Sequence, residues 1–268
     1  MTILYTMGVL GGLGLVFGIL LGLFGKVFHV PADPRVAEIR EALPGANCGA
    51  CGRPGCDGYA EAVAAGAAPA HLCTVGGAPV AERIAAIMGV QAGEVARDIA
   101  SVRCQGSLDH SVEKFEYQGI PDCLAASLVS GGGKACPYAC IGLGTCEKVC
   151  PFEAIRVDDR MKIAVVEQEK CRGCGLCVSA CPRQVLALRP ADTPVELLCR
   201  AALQGKLVKD NCKAGCIGCG LCEKACEAGA ISMAKHLPVF DLEKCTGCML
   251  CAKSCPTKAI RAREGQGA

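Results

Sequence analysis

The sequence has no tryptophan and few aromatic residues of any kind, with 4 Tyr and 6 Phe among 268 residues. So few large rings cannot fill one extensive core, and we expect small modules held together by something else. A charge of one sign is also missing, since 28 basic and 26 acidic residues leave a net charge of +2. This balance excludes the basic footprint of a nucleic-acid-binding protein. A hydrophobic content of 51% excludes disorder by composition.

Cysteine is the residue in excess, with 24 in the chain. Most of the cysteines lie two or three residues apart, and neighbours that close seldom meet the geometry of a disulfide bridge. Clustered thiols in a reducing compartment are typical of metal ligands. Zinc sites usually separate two cysteine pairs by a dozen or more residues. The triplet Cys-x-x-Cys-x-x-Cys followed by Cys-x-x-x-Cys-Pro therefore indicates iron–sulfur clusters instead.

An uncharged run from Ile3 to Gly25 predicts a transmembrane helix, because about 20 apolar residues span a bilayer. A cleaved signal peptide would require basic residues before the apolar run, and none precedes it here. Lys26, Arg35 and Arg40 follow it, so the positive-inside rule places the rest of the chain in the cytoplasm. Reduced thiols require the same side. We expect membrane lipid around residues 3–25.

The rest of the sequence divides into a small cysteine-containing domain and two repeated modules. Each module holds two half-motifs, which begin at Cys140, Cys171, Cys216 and Cys245 and end in short apolar stretches typical of strands. Two halves make a ferredoxin-like module with pseudo-twofold symmetry. The predicted fold class is α+β, with a transmembrane helix (1–28), a small 4Fe-4S domain (29–90), a connector (91–135), a first dicluster module (136–190), a linker (191–211) and a second dicluster module (212–263).

The bacterial ferredoxin pattern also predicts how the cysteines group. In that pattern the fourth cysteine of one half ligates the cluster of the other half. The small domain supplies a set of four by itself. The predicted sets are Cys48, Cys51, Cys56 and Cys73; Cys150, Cys171, Cys174 and Cys177; Cys216, Cys219, Cys222 and Cys255; and Cys226, Cys245, Cys248 and Cys251.

The first half of the first module departs from the pattern, because Leu143 stands where a ligand belongs. Cys136 lies four residues before Cys140 and is the expected substitute. The remaining predicted set is thus Cys136, Cys140, Cys146 and Cys181. Five [4Fe-4S] clusters are expected. A sixth is possible, since 24 is six times four, and the alternative is buried free thiols. The possible extra ligands are Cys104, Cys123, Cys199 and Cys212.

The order of these parts resembles the B subunit of the Rnf ion-translocating electron-transport complex. The most specific stretch is Asn47-Cys48-Gly-Ala-Cys51-Gly with Gly55-Cys56-Asp57-Gly58-Tyr59 and Cys73. The resemblance extends from Ile3 to Ile260 and is to long-form members with two ferredoxin modules. The spacing Cys136-x3-Cys140-x5-Cys146 also resembles long-form members.

The resemblance implies a subunit of a translocase-class oxidoreductase in the bacterial cytoplasmic (inner) membrane. Such a subunit takes electrons from soluble reduced ferredoxin, and other membrane and cytoplasmic subunits complete the transfer to NAD and move Na⁺ or H⁺. This chain shows no catalytic site, flavin motif or nicotinamide motif of its own, and its span has no ionisable residue for an ion path. The alternative is a reductive activator or electron carrier for a corrinoid enzyme, because the Cys48–Cys73 motif resembles the small cluster domain of corrinoid iron–sulfur proteins. A structural zinc protein is a third hypothesis.

Overall fold

The computed structural model describes residues 2–27 and 33–262. The predicted boundary between residues 28 and 29 lies outside this range. Helix α1 (Thr2–Val27) contains the uncharged run, and its segment Tyr5–Lys26 is long and apolar enough to cross a membrane. Its side chains from Tyr5 to Lys26 are exposed, as Leu10 and Leu21 show with exposed fractions of 72% and 71%. An isolated apolar helix of this length suits a lipid environment.

Three helices form the small domain: α2 (Pro34–Ala42), α3 (Gly55–Ala64) and α4 (Gly77–Met88). The Asp33 side chain caps α2 by accepting from the Arg35 N–H at 2.9 Å. Helix α4 ends at Gly89 in the left-handed conformation that glycine favours. Ile39, Tyr59 and Ile84 are fully buried where the three helices meet.

Four two-stranded antiparallel sheets follow, and they divide between the two modules. Each module has one internal hairpin, β2 (Ile155–Asp158) with β3 (Ile163–Val166), and β6 (Ile231–Ala234) with β7 (Leu237–Phe240). In each module, one further strand of the repeat pairs with a strand from the segment that precedes the module. The remaining pairs are β1 (Asp98–Val102) with β4 (Leu186–Pro190), and β5 (Val195–Leu197) with β8 (Ile260–Ala262).

The connector and the linker are therefore parts of the modules and not free tethers. The connector supplies β1 to the first module, and the linker supplies β5 to the second. Ile99 of β1 is 1% exposed in the core of the first module, and Val195 of β5 is 3% exposed in the core of the second. Two more helices lie in these segments, α5 (Cys123–Leu128) and α8 (Gly205–Asn211).

Each half-motif repeats one backbone arrangement of a short helix and a tight turn. The helices are α6 (Thr145–Lys148), α7 (Leu176–Ala180), α9 (Leu221–Lys224) and α10 (Leu250–Lys253). Each of these helices ends one or two residues before the fourth cysteine of its half-motif. In the turn that follows, the N–H of the third residue after that cysteine donates to its carbonyl, at 2.9–3.4 Å. Gly229 keeps this turn where Glu227 stands in place of proline.

Candidate metal centres

Five cavities of the described chain are each lined by four cysteines. We number these sets 1, 2, 3, 4 and 6, and keep the number 5 for a predicted set that lines none of the five cavities. The cysteines are Cys48, Cys51, Cys56 and Cys73 (set 1); Cys123, Cys140, Cys146 and Cys181 (set 2); Cys150, Cys171, Cys174 and Cys177 (set 3); Cys216, Cys219, Cys222 and Cys255 (set 4); and Cys104, Cys136, Cys199 and Cys212 (set 6). The cavity volumes run from about 310 to about 420 Å³.

Set 5 is a predicted group, Cys226, Cys245, Cys248 and Cys251, and the repeat supports its grouping. After burial, the charges of the Cys245 and Cys248 thiolates raise the pKa of Cys251 most. These three cysteines therefore lie close together. Cys226 occupies the same place in its turn as Cys150 of set 3. The Ala230 N–H donates to Cys226 Sγ at 3.3 Å, and the Ala154 N–H donates to Cys150 Sγ at 3.4 Å.

The cysteine sets do not have the geometry of sites for a single ion. Within residues 2–27 and 33–262, no group of three or more His, Cys, Asp or Glu side chains is placed to hold one metal ion. Four thiolates bound to one zinc ion would each lie about 2.3 Å from a common centre. The sulfurs instead surround a cavity, as four separate iron corners of a cubane would require. This arrangement does not support the zinc hypothesis.

Set 1 is built by the residues that carry the family resemblance. The Asn47 side chain accepts from the Cys56 N–H at 2.8 Å and so holds the loop against the start of α3. A side chain on Gly55 would put its Cβ 3.0 Å from that amide oxygen. The Tyr59 hydroxyl donates to the Pro69 carbonyl at 2.8 Å and accepts from the Leu72 N–H at 3.2 Å. Asn47 and Tyr59 thus position the two ends of the set, Cys56 and Cys73.

Set 2 differs from its predicted composition by one cysteine. The prediction placed Cys136 with Cys140, Cys146 and Cys181, but the structure places Cys136 in the set 6 cavity and Cys123 in the set 2 cavity. The physical reason is a side-chain tie between α5 and α6. Thr145 Oγ1 accepts from the Cys123 N–H at 2.7 Å and donates to the Asp122 carboxylate at 2.8 Å. Asp122 also caps α5.

Cys123 had no adequate signal in the sequence. It lies 17 residues before Cys140, whereas Cys136 lies only four before it, so proximity favoured the wrong cysteine. The one available clue was Asp122, a helix-capping residue type directly before Cys123. A cap predicts where a helix begins and does not predict what that helix packs against.

The exchange of fourth cysteines follows the ferredoxin pattern in the cavities that the structure resolves. Cys150 of the first half lines the cavity with Cys171, Cys174 and Cys177 of the second half. Cys181 and Cys255 likewise line the cavities of the opposite halves. Glycines let the loops approach neighbouring backbone. At Gly218, which has a φ of 67°, an added Cβ would lie 2.9 Å from the His236 carbonyl oxygen.

Burial makes these thiols hard to ionise without a metal. It raises the pKa of Cys146 and of Cys177 to about 12, and neighbouring thiolates add to the effect. It raises the pKa of Cys140 and of Cys216 to about 11. A metal must supply the positive charge that displaces such protons. The sets are therefore suited to permanent ligation and not to reactive free thiols.

Successive sets lie next to one another. The charge of Cys48 in set 1 acts on Cys174 of set 3, and that of Cys177 in set 3 acts on Cys146 of set 2. In the second module, the charge of Cys222 in set 4 acts on Cys251 of set 5. Cys219 of set 4 and Cys248 of set 5 are the exposed cysteines of the chain. The neighbours thus form two series, one from the small domain into the first module and one within the second module, whose exposed cysteines are accessible to solvent.

Known families match the same segments of the chain. An Fe-S cluster family model matches residues 43–75, and a 4Fe-4S dicluster domain model matches residues 139–185 and again 215–264. One helix fit to cross a membrane, joined to these cluster-binding domains, defines a membrane-associated iron–sulfur protein with several [4Fe-4S] clusters.

Curated relatives identify the family more closely. The B subunit of the Na(+)-translocating ferredoxin:NAD(+) oxidoreductase complex of Acetobacterium woodii is 46% identical over 90% of this chain and 72% of its own length. The B subunit of the ion-translocating oxidoreductase complex of Methanosarcina acetivorans is 41% identical over 96% and 97%. The proton-translocating counterpart of Clostridium ljungdahlii is 42% identical over 90% and 84%.

The chain belongs to this family, the B subunits of ion-translocating oxidoreductase (Rnf) complexes. It is an iron–sulfur electron-transfer subunit of the long form, with two dicluster domains. These relatives do not favour the corrinoid hypothesis.

Proposed function

We propose that this chain accepts electrons from reduced ferredoxin and relays them, through clusters held by its cysteine sets, to partner subunits that reduce NAD and move Na⁺ or H⁺. The complex would belong to the translocase class and lie in the bacterial inner membrane. The bulk of this chain would face the cytoplasm. The names of the relatives support the substrates, and the basic residues after α1 support the orientation.

The main support for this proposal is that the cysteine sets lie next to one another. Sets 1, 3 and 2 are spatial neighbours in that order, and sets 4 and 5 are neighbours of each other. The exposed cysteines lie in sets 4 and 5. A soluble donor can approach only clusters near the surface. The second module therefore suits the ferredoxin side, and the small domain, which follows α1 directly, suits the membrane side.

The residues present fit [4Fe-4S] clusters, since each set offers four thiols, which surround a cavity in sets 1 to 4 and 6. When bound, such a cluster supplies reversible one-electron transfer at a potential set by hydrogen bonds to sulfur, burial and charge. The chain provides those hydrogen bonds. Backbone N–H groups of Gly76, Ala100 and Ala154 donate to Cys73, Cys171 and Cys150 Sγ at 3.3–3.4 Å. The protein also excludes water from the buried sulfurs.

Membrane vesicles test the proposed role. Inverted vesicles from a strain that lacks this chain should lose ferredoxin-dependent NAD reduction, and the full chain should restore it. A version without residues 1–28 should restore much less, because it lacks the anchor. Vesicles that keep ferredoxin-dependent NAD reduction without the chain would contradict the proposal. A loss of methyl transfer by a corrinoid enzyme, with NAD reduction intact, would favour the alternative.

A further inference from the structure

We propose that Cys104, Cys136, Cys199 and Cys212, the four cysteines of set 6, hold a sixth [4Fe-4S] cluster that joins the two dicluster modules. Only the role of this cluster in the electron relay rests on the proposed function. The site itself is argued from this chain's own residues.

The site is built by pairing between the connector and the linker. Cys104 forms an antiparallel bridge with Cys199, and Ser111 forms one with Cys212. The Val112 N–H donates to the Asn211 carbonyl at 3.0 Å, which extends the second pairing. These contacts bring together residues that are about a hundred positions apart in sequence. The cavity that results has a volume of about 420 Å³.

The four thiols converge on one another inside this cavity. All four cysteines line the same cavity, and the Cys104–Cys199 bridge places two of them on paired segments. Gly106 leaves room beside the sulfurs, since an added Cβ would lie 3.5 Å from Cys212 Sγ and 3.6 Å from Cys104 Sγ. The Gly106 N–H donates to Cys104 Sγ at 3.4 Å, the type of contact that the other sets also receive.

A buried cation without an acidic partner indicates an anion at this place. Lys134 is 6% exposed, and its Nζ donates to the carbonyls of Gly106 at 2.8 Å and of Lys162 at 2.9 Å. No carboxylate pairs with it in residues 33–262. Buried ammonium groups are costly unless a negative charge compensates them. Gly106 lines the set 6 cavity, and a cluster with four thiolate ligands is anionic.

Set 6 lies between the two modules and adjoins one set in each. On one side the Cys140 N–H of set 2 donates to Cys104 Sγ at 3.4 Å. On the other side, Ala214 and Gly215, which directly precede Cys216 of set 4, line the set 6 cavity. The order of neighbours is then 1, 3, 2, 6, 4, 5. Without set 6, the first three sets would be separated from the last two.

Native mass spectrometry of the full chain, purified anaerobically in detergent, counts the clusters directly. We expect the intact chain to carry six cubanes, or about 24 iron atoms. Cys104→Ala/Cys199→Ala should carry five, because both residues belong to one set. As a matched control, Cys245→Ala/Cys248→Ala should also carry five, because it removes set 5 alone.

Several outcomes would overturn the inference. A native chain with no more than five cubanes would do so, and so would a native chain with five cubanes and one zinc ion. Six cubanes that persist in Cys104→Ala/Cys199→Ala would also contradict it, as would a Cys104–Cys199 disulfide in the anaerobic protein. Should the double variant fail to load any cluster, the count on the native chain decides alone. The count requires no electron donor, so it can fail while ferredoxin-dependent NAD reduction is intact, or succeed when that activity is absent.

Discussion

The backbone N–H of Cys123 donates to the Thr145 hydroxyl at 2.7 Å, and this bond joins the start of α5 to the start of α6. It explains how a cysteine of the connector reaches the cavity of Cys140, Cys146 and Cys181. In that cavity Cys123 supplies the fourth thiol that the repeat lacks at Leu143.

Replacing Thr145 by valine should therefore weaken set 2. The change keeps the shape of the side chain but leaves the Cys123 N–H and the Asp122 carboxylate without the hydroxyl, which should cost about 1–3 kcal/mol. We expect faster loss of visible absorbance under an iron chelator. Ser127→Ala is the control, because the Ser127 hydroxyl bonds only within α5, to the Leu124 carbonyl. Equal rates for the two variants would contradict the role of Thr145.

Paired cysteine substitutions should reveal which of Cys123 and Cys136 shares a cluster with Cys181. Two substitutions within one set remove one cluster, and two in different sets remove two. Cys123→Ala/Cys181→Ala should lose about 4 iron atoms per chain, and Cys136→Ala/Cys181→Ala about 8. The composition predicted from sequence places Cys136 and Cys181 in one set, so it gives Cys136→Ala/Cys181→Ala a loss of only about 4 iron atoms. Iron analysis of the purified variants distinguishes the two assignments.

Lys134→Met should lower the reduction potential of one or both clusters at the junction of the modules. The buried ammonium stabilises the more negative, reduced form, and its charge acts on Cys140 of set 2. We expect a decrease of some tens of millivolts, where about 59 mV corresponds to a tenfold change for one electron. Potentiometric titration followed by electron paramagnetic resonance measures it. Lys114→Met is the control, since Lys114 is exposed and bonds to the Ser130 carbonyl. Reduction potentials that are unchanged in Lys134→Met would exclude this effect.

Exposed lysines near set 4 should steer an acidic ferredoxin. Lys206 and Lys209 lie on α8, a few residues before Cys212 and Cys216. Reversing both charges to glutamate should slow reduction by ferredoxin roughly tenfold at low ionic strength, and much less at high salt. Arg83→Glu/Arg160→Glu makes the same change in net charge at exposed positions elsewhere. Similar slowing in both double variants would show a general charge effect and no local docking.

The local features of this molecule were predictable from its sequence, and the long-range ones were not. The strands after each half-motif and the cap of α2 by Asp33 follow from short patterns of residue type, and the structure contains them. The pairing of β1 with β4, and of Cys104 with Cys199, joins segments about 90 residues apart. Nothing in the residues around Cys104 specifies its partner, because that pairing depends on how two complete modules pack.

The repeat itself explains why the error fell on set 2. Cys150, Cys181, Cys226 and Cys255 hold the same position in each half, so the exchange pattern could be transferred to them from one rule. Leu143 breaks the repeat, and a rule based on repetition offers no substitute. The interval of 13 residues from Cys123 to Cys136 equals that from Cys199 to Cys212. The equality does not mark equivalent roles, because the first pair is divided between sets 2 and 6.

The most direct test of the account is to mix the anaerobically purified, oxidised full chain with reduced ferredoxin and follow its visible absorbance. The account predicts rapid bleaching as electrons enter the clusters, with NADH alone producing none, because the sequence carries no nicotinamide motif. A chain that carries its full iron content but is bleached by no ferredoxin would contradict the claim that it accepts ferredoxin electrons.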